Sequence, residues 1–398
     1  MRIGIDASRA NLAQRTGTEW YAFHLTRAFF NYLRPTDEVF LYVKEPLRSE
    51  WGSLPVNVHV RILRWPPRLL WTQLRLSWEM LMHRIDVLFV PAHTIPFLSP
   101  KRTITTLHDI GFMHAASLYG AASLVPKGKR FLNAAVQLFT LGKYHATELD
   151  YHRFSAKLAL KKCQTILTVS EYSKNDICET FHVDPARVHV VPNAYDRALF
   201  NPSVRQNQSA IAKALQLAGV RQPYLMTIGR IEKKKNTLGL VQAFARLKES
   251  ADFRNYQLLL VGSPGFGADD VRDACTALGV GNDVIQPGWL PEEQIPALMA
   301  GAEAFILPSL FEGFGIPVLE AMAVGTPVVC SNTTSLPEVS GGAAVLVSPK
   351  NVQEIADAIQ RICTNPTYAE ELRQRGYRRA DNFSWEASAK QLAGILLQ

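Results

Sequence analysis

The sequence predicts an α/β protein built from two doubly wound domains, and three observations carry that prediction. Short apolar runs alternate with helical stretches along most of the chain. The 398 residues exceed one ordinary core and suit two. A stretch at 201–220, with Asn, Gln and Ser ahead of an alanine-rich helical segment, reads as a linker between the halves. The expected division is a first domain at 1–200, a second at 201–380 and a last helix at 381–398.

The first half opens with a strand from Ile3 to Asp6, a loop containing Gly17, and apolar residues at helical spacing from Tyr21 to Tyr32. Val87 to Pro91, Thr103 to Asp109 and Thr165 to Ser170 are short apolar runs of the kind that form buried parallel strands. Each is followed by enough chain for a crossover. Val188 to Asp196 closes this half.

The second half is more regular. YLMTIG is a strand, Thr237 to Lys248 a helix, and Leu258 to Ser263 a strand. Asp269 to Leu278 then reads as a helix, VIQPGW as a short strand and Glu292 to Gly301 as a helix. AFILPS leads into a helix from Pro317 to Val324, and PVVCS is a further strand.

Composition narrows the class. Hydrophobic residues make up 47% and charged residues 20%, which supports a buried core and excludes a disordered chain. The net charge of +8, with Lys233, Lys234 and Lys235 clustered, suits phosphate-bearing partners: small molecules, nucleic acid or an anionic membrane. No complete base-reading motif accompanies it, so nucleic acid is not expected. The cysteines Cys163, Cys178, Cys275, Cys330 and Cys363 form no CxxC pair and no zinc-ligand pattern, so reduced thiols and no bound metal are expected. The start MRIGIDAS is strand-like rather than a secretory signal, and no apolar run is long enough for a membrane span. A soluble or peripheral cytoplasmic protein is the expectation.

Residues 61–84 carry five arginines and one glutamate among Trp65, Trp71 and Trp78. One reading is an interfacial patch, with cations on lipid phosphates and aromatics in the headgroup layer. The favoured reading puts Leu74, Trp78, Leu81 and Met82 on one helix face against the sheet.

The densest chemical signal is SLFEGFGIPVLEAMAVGTPVV, Ser309 to Val329. Gly313 and Gly315 permit close backbone approach where a strand ends, and Pro317 suits the first turn of a helix. The amides around Phe314, Gly315 and Ile316 then face a phosphate, aided by the helix terminus. Glu312 and Glu320, eight residues apart, are carboxylates able to accept paired hydrogen bonds from a sugar diol; helix capping or surface charge is the plain alternative. GRIEKKKN, Gly229 to Asn236, follows a strand at the same kind of sheet edge. Arg230 offers a planar fork and Lys235 a compact charge to a diphosphate leaving group, while Lys233 and Lys234 read as a solvated cluster. In the first half, Gly17 allows a loop to approach a ligand, and His108 ends its strand where sheet ligands gather. His108 either donates to a transferred sugar or orients an acceptor, unless it is a structural histidine facing Asp109. Ser170 is a weaker candidate.

These residues resemble glycosyltransferase family 4, whose members have the two-lobed GT-B architecture of Rossmann-like domains facing an interdomain cleft. The likeness spans nearly the whole chain and is strongest from Tyr224 to Pro349. It implies that Glu312 and Glu320 are the family's two spaced acids, the first on the donor sugar and the second on the nucleotide ribose. It implies that Arg230 and Lys235 are the basic phosphate pair, that the amides near Gly315 and Ile316 approach the diphosphate, and that Gly17, Gly229, Gly313, Phe314 and Leu319 lie at or near the donor. Leu319 reads equally as helix core. The resemblance further implies retention at the anomeric carbon by front-face transfer without a metal or other cofactor, Glu312 not being a nucleophile. FSWEASAKQLAGILLQ resembles the family's last helix, which returns toward the first lobe. The opening loop departs from the common double-glycine form, since Arg15 and Thr16 precede Gly17.

The functional expectation is therefore a retaining glycosyltransferase, with His108, Arg230, Lys235 and Glu312 as the catalytic group. It moves a hexosyl unit, mannosyl by general likeness to bacterial mannosyltransferases, from a GDP- or UDP-sugar to a glycan or polyprenyl-linked saccharide. That places it in polysaccharide or lipopolysaccharide biosynthesis, at the inner face of the cytoplasmic membrane if the aromatic segment meets lipid. A sugar-nucleotide epimerase and a non-catalytic nucleotide-sugar-binding regulator are the alternatives.

Overall fold

The computed structural model of the chain describes residues 1–65, 71–119 and 147–398. Of these, Met1–Ala116, residues 147–193 and Trp385–Gln398 form one unit, and Ser117–Tyr119 with Ala194–Ser384 form a second.

The first unit is a parallel sheet of β1 Arg2–Asp6, β2 Glu38–Val43, β3 Val58–Ile62, β4 Val87–Val90, β5 Arg102–Thr106, β6 Thr165–Thr168 and β7 Val188–Val190. Its strand order is β3-β2-β1-β4-β5-β6-β7, with Ile3 paired to both Val39 and Val87. The central strands are apolar on both faces because helices cover both, and β4 is buried throughout. Helix Gly17–Phe29 starts at Thr16, whose amide donates to Glu19 Oε2 at 3.1 Å in a capping box.

The last helix, Trp385–Leu396, belongs to this unit and packs along helix Gly17–Phe29. Trp385 stacks on His24 with ring centroids 5.4 Å apart, and Ala389, Leu392 and Leu396 are fully buried. Each such leucine stabilises the contact by about 1.5–3 kcal/mol. Ser388 Oγ donates to the Pro192 carbonyl at 2.7 Å and Arg102 to the Ile395 carbonyl at 2.7 Å, which fixes the helix in register.

The second unit is a parallel sheet of β8 Tyr224–Ile228, β9 Gln257–Val261, β10 Val284–Gly288, β11 Ala304–Leu307, β12 Val328–Ser331 and β13 Val345–Val347, in the order β10-β9-β8-β11-β12-β13. The 201–220 stretch is ordered: a short turn of 3-10 helix, Pro202–Gln206, precedes helix Gln208–Ala218, which Asn207 caps by accepting from the Ala210 amide. The core joins Leu225, Leu258, Leu260, Ile306 and Val329 of the sheet to Leu240, Phe244, Ile355 and Ile359 of the covering helices.

The arginine-rich segment departs from the favoured expectation. Residues 66–70 of it lie outside the described residues. A turn of π-helix, Trp71–Arg75, runs into α-helix Leu76–Met82, and the buried face is Trp71, Gln73, Leu76, Ser77 and Glu79. Leu74, Trp78, Leu81 and Met82 are instead 43%, 60%, 59% and 62% exposed. The cause is electrostatic. Glu79 is buried with Arg61 of β3 at 2.7 Å, Arg75 at 3.1 Å and His83 at 3.1 Å, and a buried carboxylate held by three partners orients the helix.

Candidate functional site

The second sheet reverses its strand order between β8 and β11, so the loops leaving these neighbours diverge and open a crevice at their carboxyl ends. The glycine and acid loops predicted from sequence leave this point. Gly229 follows β8 with φ +140 and Gly262 follows β9 with φ +144; a Cβ on Gly262 would lie 1.9 Å from the Gly229 carbonyl oxygen. The two backbones touch, so only glycine fits. The Lys235 stem crosses Gly229, with Cε 3.2 Å from where a Cβ would stand.

Lys235 Nζ donates to Glu312 Oε1 at 2.6 Å, and Ser309 Oγ donates to the same oxygen at 2.7 Å. Among the described residues no donor engages Glu312 Oε2, and two Nζ protons of Lys235 stay available to a ligand. The side chains are 23% and 9% exposed, so water screens the pair less than it would a surface pair.

The loop from Ser309 to Gly315 is held by its neighbours. Ser331 Oγ donates to the Ser309 carbonyl at 2.7 Å, and Ser335 Oγ lies 3.0 and 3.1 Å from the carbonyls of Glu312 and Phe314. The Leu310 amide donates to the Lys234 carbonyl at 2.8 Å, tying the lysine turn to the acid loop. Phe311 and Phe314 are buried and anchor it. Gly315, at φ 102, is the N-cap of helix Ile316–Ala323 and makes no side-chain cap, and a Cβ there would meet Leu336 at 2.5 Å. Uncapped amides therefore start this helix.

Glu320 sits half-buried one turn into that helix, and among the described residues nothing hydrogen-bonds or ion-pairs with its carboxylate. Burial, with the negative charges of Glu292 and Asp196, pushes its pKa up to about 8.

The structure thus gathers Gly229, Lys235, Glu312, Gly313, Phe314, Gly315 and Ile316 at one crevice, with Glu320 on the helix leaving it. Two expectations change. Arg230 is 59% exposed and turned toward Glu232 at 3.9 Å, outside the Lys235–Glu312 contact. Leu319 is fully buried, so its side chain offers a ligand no surface. The three lysines differ: Lys233 pairs with Asp270 at 3.2 Å, and Lys234 lies over the Phe311 ring at 5.7 Å. Sequence reasoning missed Ser309, Thr334 and Ser335; Thr334, at φ 58, accepts from the Glu312 amide at 3.2 Å.

In the first unit the strand order reverses between β1 and β4. Gly17 is the exposed first residue of its helix. His108, half-buried after β5, donates from Nε2 to the Pro91 carbonyl at 3.1 Å and meets the Tyr21 ring edge-on at 4.8 Å. Burial lowers its pKa, so it is neutral and Nδ1 is an acceptor. With Nε2 donating to Pro91, the ring nitrogen left for a ligand is Nδ1, which accepts a hydrogen bond. His93, after β4, was missed although it ends VLFVPAH by the same rule; its Nε2 lies 2.7 Å from His152 Nδ1. Ser170 is buried and caps helix Glu171–Phe181 through the Ser173 amide, which excludes it as a ligand contact.

A family profile described as Glycosyltransferase Family 4 matches residues 16–199, and one described as Glycosyl transferases group 1 matches 209–379. An O-antigen chain mannosyltransferase B of Escherichia coli is 36% identical over 314 residues, covering 78% of this chain and 74% of that protein. An MMP alpha-(1->4)-mannosyltransferase of Mycolicibacterium hassiacum is 35% identical over 247 residues, 60% of this chain and 55% of its own length. The chain thus spans about half to three quarters of these relatives. Among solved structures, Anabaena HepE in complex with UDP and glucose superposes with a TM-score of 0.70 at 19% identity over 100% of this chain and 99% of that one.

Proposed function

This chain belongs to glycosyltransferase family 4 and has the GT-B fold, and we propose that it transfers a hexosyl unit, mannosyl in particular, from a nucleotide-diphosphate sugar to a glycan or polyprenyl-linked saccharide. The observation that carries the reading is the Lys235–Glu312 pair at the switch point of the second unit, with one carboxylate oxygen and two ammonium protons left for a ligand.

The donor diphosphate lies against the uncapped amides at Gly315 and Ile316, with Gly229 leaving it room. Lys235 meets the negative charge that grows as the glycosidic C–O bond breaks. Glu312 Oε2 accepts from a donor-sugar hydroxyl, and Glu320 accepts from the ribose diol. The acceptor hydroxyl attacks from the face the diphosphate leaves, and its proton passes to a phosphate oxygen, so configuration is retained. The mannosyl assignment follows both curated relatives, one of them an O-antigen enzyme; the base, GDP or UDP, is left to the assay. His108 and the Gly17 turn serve the acceptor side. No cofactor takes part in this scheme.

Glu320 supplies the test. Its carboxyl is protonated below about 8 in the free protein, and a diol donating to it favours the ionised form. Nucleotide binding then releases a proton, so affinity rises with pH and levels off above the free-protein pKa. Between pH 6.5 and 8.5 the gain is about tenfold. Glu320→Gln, a neutral isostere, is expected to bind nucleotide more weakly and without this slope. Calorimetry across that range checks it; equal affinity and slope in both proteins would remove Glu320 from the site.

A further inference from the structure

The exposed helix face in the first unit calls for an occupant. Leu74, Trp78, Leu81 and Met82 form a stripe at spacings of four, three and one along the helix, and Leu98 beside them is 49% exposed. Soluble proteins bury such stripes, and here a mixed face of Trp71, Gln73, Leu76, Ser77 and Glu79 is turned inward instead. The Glu79 cluster and the Trp71 Nε1 bond to the Leu63 carbonyl at 2.7 Å pin that orientation, so the exposure is built in.

Beside the stripe lies a groove of about 610 Å³ whose walls include Leu81, Phe97 and Leu98 together with Arg84, Lys101 and Lys162. All three cations are exposed at their residues, and the acid on the rim, Asp86, already accepts from the Arg2 amide at 2.7 Å. The groove stands before β4 and β5, at the sheet edge opposite His93 and His108. No helix among the described residues is long and apolar enough to cross a membrane.

We propose that this face is a docking surface for an anionic phospholipid membrane: Trp78, Leu81, Met82 and Leu98 enter the headgroup layer while Arg84, Lys101 and Lys162 meet lipid phosphates. Apolar and aromatic groups rimmed by cations match such a surface in both hydrophobicity and charge. A protein partner would need acids around an apolar core. Docking by this edge keeps the first unit's ligand edge open. The inference deepens the transfer reading, since a lipid-linked acceptor is found there, but vesicle partition, the readout that decides it, is measured without any sugar.

Flotation of the purified chain with phosphatidylglycerol-rich and pure phosphatidylcholine vesicles tests it. Preferential partition onto the anionic vesicles is expected, weakened at high salt. Combined Trp78→Ser, Leu81→Ser and Met82→Ser should lower partition by at least about tenfold. Arg84→Ala and Lys101→Ala should each lower it about fivefold, while circular dichroism and turnover on a water-soluble acceptor stay unchanged. No partition onto anionic vesicles, or equal partition of the apolar variant, overturns the proposal. So does a dimer by light scattering that the apolar substitutions dissolve, because the face then belongs to a second copy.

Discussion

Replacing Lys235 with Ala is expected to lower kcat/KM for transfer by about 100- to 1000-fold, the loss typical of removing one preorganised donor from a developing anion. Lys235 is held 2.6 Å from Glu312 and laid over a glycine that leaves its stem no obstacle, so it is positioned before any ligand arrives. The charge it faces grows as the sugar–phosphate bond breaks, so most of the loss should fall in kcat and less in nucleotide affinity. Arg230 cannot replace it, being 59% exposed and directed toward Glu232. Glu312 keeps its Ser309 donor, so the variant should fold, with stability lower by about 1–3 kcal/mol. Steady-state kinetics with a thermal melt separate the two effects. A fully folded variant with ordinary turnover contradicts the role.

Glu312→Gln should be nearly as damaging by a different route. The amide can still accept from Ser309, so the loop persists, but the charged acceptor at Oε2 is lost. A hydrogen bond to an ionised group contributes about 1.5–3 kcal/mol, or roughly 10- to 150-fold. The loss should appear for the intact sugar nucleotide and for transfer, while the nucleoside diphosphate alone binds undiminished, because Lys235 is released from its counter-ion. Competition binding of the two ligands checks this. Equal weakening of both would place Glu312 on the nucleotide rather than on the sugar.

What could be read from the sequence follows from how local each feature is. Strands β8, β9, β11 and β12 of the second unit were visible because both sheet faces are covered, leaving unbroken apolar runs such as LLLV, whereas the three-residue edge strand β13 went unnoticed. β3 was not: it is an edge strand whose Val60 and Ile62 are partly exposed among polar neighbours. The loop from Ser309 to Gly315 was legible since its glycines, acid and following proline are contiguous. Its support was not. Thr334 and Ser335 lie more than twenty residues downstream, and the Lys235–Glu312 contact spans 77 residues. The helix at Leu76–Met82 shows a further limit. Periodicity located an apolar stripe but carried no sign for the side it faces, and the deciding interaction was Glu79 with Arg61, 18 residues away on that unnoticed strand. Arg230 was placed by type and spacing, yet its guanidinium turns toward Glu232, two residues on, at 3.9 Å.

The most direct measurement is product analysis with the purified chain, GDP- and UDP-linked hexoses, and a panel of saccharide and polyprenyl-linked acceptors. Release of nucleoside diphosphate in step with a glycosylated acceptor is predicted, with the donor's anomeric configuration kept and with product lost in the Lys235→Ala variant. Interconversion of sugar nucleotides without an acceptor, or donor binding with no turnover across the panel, would contradict the account.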